Sequence, residues 1–404
     1  MALERVVVLN DLSQAKGGAT GLALMSARRL SAAGLDVTYI CGDEGHSAEA
    51  GSAQVLAAGS AQLLQRGALH AMRRGIYNPD TRDMVRRIIA ETDTPGTVYH
   101  LHGWAQILSP SVFDALAPVA DRCLVHAHDM FLACPNGVYM DYPHNQVCTK
   151  TPLSTACLLT HCDKRSRVHK GWRVLRQRSL RRTFRQDLPW AGILAIHPEM
   201  LPRLSRAGYA PDRFHVVRNP ADPFAPTRIS AETNRRFVYV GRLEADKGAL
   251  DFAQATQRIG VPATCVGDGS LQAQLKRDFP DLQITGWQDR AAVGQYLSDA
   301  RVLVMPSRHP EPFALVLPEA ILSGLPVATA QTALMAREIE DEGLGYAFNV
   351  FDPASIDTAL TRFRDMPDDQ LREMSLRGHA SATRLSHTPE SWTDALVELY
   401  TSVL

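Results

Sequence analysis

The sequence predicts an α/β protein built from two parallel-sheet domains, and three observations carry that expectation. Strand, Gly-containing loop and helix follow one another twice, once from Val6 and again from Phe237, so each half starts a sheet of its own. Between them lies RNPADPFAPTRISAETNRR (218–236), Pro-rich and without periodicity, which reads as a linker. The chain has 404 residues, and about 200 residues per domain is the default at that length.

The elements follow in order. Val6–Leu9 is a short apolar strand, NDLSQAKGGATG a loop, ALMSARRLSAAG a helix by its spacing, and Val37–Cys41 the next strand. TVYHLHG and CLVHAHD are further strands that end in polar residues, where an α/β sheet presents its ligand edge. In the second half FVYVGRLEADKGALDFAQATQRIG repeats the plan, and ATCVGDGS, QITGWQD, RVLVMPS and LPVATA supply more short strands. The last helix, from Pro389, has apolar residues at 392, 396, 399, 400 and 403, a stripe that needs another surface to cover it.

Composition narrows the function classes. With 45% apolar and 21% charged residues the chain is ordinary for a soluble protein, and its net charge of zero argues against a dedicated nucleic-acid binder. No apolar window is long enough for a transmembrane helix. MALERVVVLND has no secretory h-region, and seven cysteines do not suggest a disulfide framework; the expected location is the cytoplasm. Of the basic residues 37 are Arg and 6 Lys, so clustering says more than identity.

One cluster stands out: KRSRVHKGWRVLRQRSLRRTFR (164–185) holds ten basic residues and no acid. As a helix it places Val168, Trp172, Leu175 and Ser179 on one stripe, expected to pack on its own domain, and Arg167, Lys170, Arg178, Arg181 and Arg185 opposite. That basic face is suited to water, to an anionic lipid surface on the inner side of the cytoplasmic membrane, or to an anionic acceptor.

Three motifs carry chemistry in the second half. In HPEPFALVLPEAILSGLPVATA, Glu311 and Glu319 flank an apolar run. GRLEADKG sets Arg242 and Lys247 in a strand-end loop that opens into a helix, a place suited to a diphosphate. VGDGSL, with Gly267, is a tight turn where backbone passes close to a ligand. In the first half, alternation puts His100 and His102 on one face, and His126 and His128 on one face; His100 and His126 are expected to be core histidines satisfied by backbone.

Together and in this order, with Gly17-Gly18 after the first strand and a closing helix bearing Trp392, these motifs resemble the retaining family-four glycosyltransferases of the GT-B fold, over nearly the whole chain. The resemblance implies two Rossmann-like domains facing a cleft: an acceptor domain over 1–217 completed by a crossing-back helix at 386–404, the linker 218–236, and a nucleotide-sugar donor domain over 237–385. It implies that Arg242 and Lys247 bind the donor diphosphate and stabilise the leaving nucleotide without a metal, that Glu319 binds the ribose, and that Glu311 meets the donor sugar. The N–H groups of Phe313, Ala314, Leu315 and Val316 would lie against sugar and phosphate, and Gly17 and Gly18 would let backbone approach the diphosphate. His128 matches the family's strand-end histidine at the donor sugar, as a supporting group rather than a nucleophile; His102 falls on the acceptor side. Ala314 departs from the family, which usually has glycine there. The implied activity is hexosyl transfer, with retention, to a saccharide or lipid-linked saccharide in bacterial surface-glycan synthesis. The alternatives are a nucleotide-sugar 2-epimerase of the same fold and a non-catalytic GT-B scaffold. HDMFLACPNG resembles a subset of such bacterial enzymes with a cysteine-bearing insert (130–163), in which Cys134, Cys148, Cys157 and Cys162 could hold a structural zinc, though no C-x2-C knuckle is present.

Overall fold

A computed structural model describes residues 2–15, 17–46, 48–60, 68–381 and 384–404; Lys16, in the loop read after the first strand, lies outside the described residues. The chain divides into two compact units, one of 1–144, 148–217 and 390–404, the other of 145–147 and 218–389.

The first unit holds a seven-stranded parallel sheet in the order Gln54–Ala57, Asp36–Cys41, Arg5–Asn10, Thr97–Leu101, Cys123–Ala127, Gly192–Ala195, Phe214–Val216. Its central strands read as near-continuous apolar runs because helices cover both faces, and Val6, Val7, Val8 and Leu9 are fully buried. The closing helix, Pro389–Ser402, supplies Trp392, Leu396 and Tyr400 to this core, each 0% exposed. That accounts for the apolar stripe seen in the sequence. Each such side chain contributes about 1.5–3 kcal/mol by leaving water. Arg29 ties the helix start to the same unit through Glu390 at 2.8 Å.

The basic stretch is helical over Arg167–Thr183, started by Ser166, whose hydroxyl accepts the His169 N–H. Its orientation meets the expectation in part: Arg167, Arg178, Arg181 and Arg185 are exposed and Trp172 and Ser179 half-buried, but Lys170 is turned inward and two of the apolar residues outward. Val168 and Leu175 are the exposed side, at 72% and 50%, whereas Lys170, Val174, Arg176, Gln177 and Leu180 are buried. The buried polar groups are matched by nearby acceptors: Gln177 donates to the Leu132 carbonyl at 2.7 Å and Arg176 to the Ala105 carbonyl at 2.9 Å. Polar partners at Leu132 and Ala105, together with the apolar Val174 and Leu180, mark the face that turns inward.

The second unit holds a six-stranded parallel sheet in the order Gln283–Ile284, Ala263–Val266, Arg236–Val240, Ala300–Met305, Val327–Ala330, Gly345–Phe348. Gly248, at φ +76°, lets the loop after Arg236–Val240 press on the end of Ala300–Met305; a Cβ there would sit 1.9 Å from the Pro306 carbonyl oxygen. The stretch read as a linker is packed on this unit instead. Ile229 and Ala231 are buried, and Arg228 meets Glu232 at 2.7 Å and the Ser375 hydroxyl at 2.7 Å. Aperiodic sequence hid it, because its contacts are with residues roughly a hundred positions later.

Candidate active site

In the second unit the strand-end loops bring two of the sequence-selected residues, Lys247 and Glu311, into direct contact. Lys247, in the single turn Ala245–Lys247, donates to the Glu311 carboxylate at 2.5 Å. Two groups passed over in the sequence complete the cluster: the Ser307 hydroxyl donates to the same oxygen at 2.9 Å and His309 Nε2 lies 3.3 Å from it. Burial alone would raise the Glu311 pKa; the contacts with His309 and Lys247 outweigh it and hold the carboxyl well below the ordinary range. The carboxylate is therefore ionised and fixed, with its charge matched by the lysine. Arg242 is exposed in the same loop, and its carbonyl accepts the Tyr239 hydroxyl at 2.7 Å.

Glu319 lies in the helix Val316–Leu322 and pairs with Arg290 at 2.6 Å, a partner that no sequence motif marks. Arg290 also donates to the Asp222 carbonyl at 2.6 Å and stacks 4.9 Å from the Phe224 ring, so the segment read as a linker positions it. Burial raises the Glu319 pKa despite that arginine. Phe313 is buried, and Ala314, Leu315 and Val316 are half-buried at the helix start, where first-turn N–H groups have no intrahelical partner. Gly267 is required by space: a Cβ would lie 2.0 Å from the Gly241 carbonyl oxygen.

In the first unit His100, His102, His126 and His128 form one stacked group at two adjacent strand ends, with centroids 4.1 Å apart for 100 and 102 and 3.9 Å for 126 and 128. His102 Nδ1 hydrogen-bonds His128 Nε2 at 2.9 Å, and His126 Nδ1 hydrogen-bonds His100 Nε2 at 3.1 Å. His100 Nδ1 meets the Tyr400 hydroxyl at 2.6 Å, so His100 is satisfied by side chains and not by backbone as expected, while His126 Nε2 has no hydrogen-bond partner. Burial lowers all four pKa values, to about 3 for His100 and His128, so the group is neutral at physiological pH. A neutral His128, whose Nδ1 has no partner, offers a hydrogen bond rather than a charge. Gly17 caps the helix Gly18–Ala32, and nothing lies within 4 Å of where its Cβ would be.

Two charged groups escaped sequence reading. Asp11, directly after the first strand, accepts the N–H groups of Gln106, Ile107 and Leu108, each at 2.8 Å, and so fixes the loop that follows His102. Arg176 is stacked 4.6 Å from Phe131 and 5.0 Å from Trp172. Its only signal was membership of the basic run.

The four insert cysteines are free thiols. The cation they face is Lys170, whose ammonium lies 3.1 Å from Cys162 Sγ and 3.6 Å from Cys157 Sγ, while Cys134 donates to Asn136 at 3.1 Å. Among the described residues, His100, His102 and His126 are the one group of metal-ligating side chains whose ligand atoms come within 4.8 Å of one another. The ligand atoms of the four thiols do not gather in that way, so as arranged they do not present a shared tetrahedral site.

Residues 234–365 match the family Glycosyl transferases group 1. The chain is 30% identical over 186 residues to glycogen synthase of Mycobacterium tuberculosis, a match covering 42% of this chain and 44% of that protein. It thus spans less than half the length of that curated relative. Over 136 residues it is 26% identical to sulfoquinovosyl transferase SQD2 of Arabidopsis thaliana, covering 33% of this chain and 26% of that protein. Among solved structures it resembles sucrose-phosphate synthase from Thermosynechococcus elongatus (TM-score 0.70, 15% identity, 99% of each chain). It also resembles Anabaena HepE in complex with UDP (0.68, 15%, 99% and 100%) and WaaG, a glycosyltransferase involved in lipopolysaccharide biosynthesis (0.64, 15%, 97% and 98%). The fold is GT-B. On it the second unit carries the segment that matches a group 1 glycosyltransferase domain.

Proposed function

We propose that this chain transfers a hexosyl group, with retention, from a nucleotide-sugar donor to a saccharide or lipid-linked saccharide in bacterial surface-glycan synthesis. The observation that carries this reading is the Lys247–Glu311–His309–Ser307 cluster inside the matched domain, beside exposed Arg242. Lys247 and Arg242 are the cations for the donor diphosphate, where charge grows as the nucleotide leaves. Lys247 exchanges its bond to Glu311 for the phosphate, and Glu311, still held by Ser307 and His309 at one oxygen, offers the other to the sugar hydroxyls. Glu319, held by Arg290, takes the ribose, and neutral His128, oriented by His102, hydrogen-bonds the sugar. Solved relatives support the donor class, since HepE has been seen with UDP-glucose. WaaG and the outer-core galactosyltransferase WaaB, involved with lipopolysaccharide, support the glycan class.

The test is a thermal-shift panel of nucleoside diphosphates followed by nucleotide release with the selected sugar donor. Release that needs an acceptor supports a transferase; release without acceptor, together with a changed sugar, identifies the 2-epimerase.

The same reading places the enzyme at the inner face of the cytoplasmic membrane. No helix among the described residues is long and apolar enough to cross a membrane. The exposed side of Arg167–Thr183 combines Val168 and Leu175 with Arg167, Arg178 and Arg182, the mixture suited to an anionic interface. Flotation with phosphatidylglycerol vesicles at low salt tests it; protein left in the bottom fraction refutes it.

A further inference from the structure

The insert and the start of the basic helix enclose a cavity of about 230 Å³ lined by Phe131, Tyr142, Asp163, Lys164, Arg165 and Arg173, with Asn136 at its edge. Three cations and one acid face it. The acid is already committed: the Asp163 side chain is 0% exposed, meets Arg173 Nε at 2.8 Å and accepts the Arg165 N–H at 2.8 Å. These bonds fix the backbone on which Lys164 and Arg165 stand. Arg173 also donates to the Asn136 carbonyl at 3.2 Å, and its guanidinium is 5.9 Å from the Phe131 ring. Arg165 makes no side-chain ion pair with a described residue, and both Arg165 and Lys164 are exposed at the rim. Beneath, the same Phe131 ring is stacked 4.6 Å from Arg176, a guanidinium 4% exposed whose Nε and Nη2 have no partner.

Arginine forks match phosphate oxygens in a bidentate way, and an added lysine matches them as a point charge. The aromatic walls, Phe131 and Tyr142, suit the apolar face of the attached group. The volume is below that of a drug-sized pocket, which starts at about 300 Å³, so it fits one small charged group and not a whole nucleotide.

We propose that this cavity binds a phosphate ester carried by the acceptor, with Arg165, Lys164 and Arg173 as its anion ligands. The assignment to the acceptor rests on the transferase reading; the binding itself does not. It gives the basic run a second use, in which its first residues read a phosphate and its exposed helical face meets the membrane.

The experiment is calorimetric titration with inorganic pyrophosphate at low salt. An Arg242→Ala/Lys247→Met background takes both donor-side cations out of the comparison. Lys164→Gln/Arg165→Gln, two exposed positions, should weaken binding roughly tenfold or more with an unchanged melting temperature. Arg165→Lys should recover part of it, as charge without the fork. An unchanged isotherm for the double variant overturns the proposal. Two further probes locate the source of the phosphate: glucose 1-phosphate in buffer, and a polyprenyl phosphate in neutral detergent micelles. Binding of either that is lost in the double variant supports the site and names its ligand as soluble or lipid-borne; binding of both that is indifferent to the substitutions overturns it. Nucleotide release in the otherwise unaltered chain is read separately, so failure here leaves the donor site standing, and failure there leaves this cavity standing.

Discussion

Lys247→Met removes the ammonium group 2.5 Å from Glu311 and keeps a side chain of similar length. The carboxylate is left with His309 at 3.3 Å and the Ser307 hydroxyl at 2.9 Å. Removing one partner of a buried ion pair costs about 3–5 kcal/mol. Here the lysine and glutamate side chains keep 21% and 16% exposure and two partners remain, so we expect about 2–4 kcal/mol at pH 7. For a domain of this size that corresponds to a fall in melting temperature of roughly 4–16 °C, read by differential scanning calorimetry. In the native protein the Glu311 pKa is depressed below its ordinary 4.5, so its contribution is present above that value and is lost as pH falls through the folded pKa. In the variant the carboxylate is buried with less compensation and gains from protonation. The difference between the two proteins should therefore shrink as the pH is lowered from 7 toward 4. An equal melting temperature at pH 7, or a gap that widens on acidification, refutes the account of Glu311 as a fixed, lysine-neutralised carboxylate.

Other outcomes follow from the same structure. His128→Ala should lower turnover by about 10- to 100-fold, the worth of one or two hydrogen bonds in the transition state, with the melting temperature of the second unit unchanged; near-normal turnover refutes its role at the sugar. His100 and His128 have folded pKa values of about 3 against an ordinary 6.5. The stability they contribute is full above 6.5 and is lost as pH falls toward 3, by about 1.4 kcal/mol per pH unit for each group; chemical denaturation at pH 7 and pH 5 measures it, and equal stabilities refute neutral burial. Leu396→Ala, in the fully buried stripe of the closing helix, should destabilise the first unit by about 2–5 kcal/mol in urea melts; a loss below 1 kcal/mol would mean that the helix is not part of that core. Elemental analysis of purified protein should return no stoichiometric zinc if Lys170 is the cation of the thiol cluster, and one equivalent would restore the four-cysteine site.

Much of the architecture is local in origin and was legible. The strand–loop–helix rhythm from Val6 and from Phe237, the polar residues at strand ends, and the 392/396/399/400/403 stripe each reflect short-range periodicity, which sequence order preserves. The meeting of Glu311 with Lys247 was legible too, because parallel strands bring loop ends to one edge of a sheet. What the second half lacked in the sequence were Arg290 and His309, one displaced by tens of residues from its partner, the other masked by an adjacent proline-rich turn.

The sequence by itself determined the two α/β units, the residue types at the sheet edges and the existence of a basic helix. Only the tertiary structure decided which way that helix faces, that four histidines lie stacked and neutral, that the aperiodic 218–236 segment is packed, and that the insert thiols face a lysine. The physical reason is shared. Each of those outcomes turns on which polar group finds a partner far away in the chain. Gln177 at the Leu132 carbonyl, His100 at Tyr400 and Arg228 at Ser375 are bonds between distant positions, and hydrophobic periodicity carries no record of them.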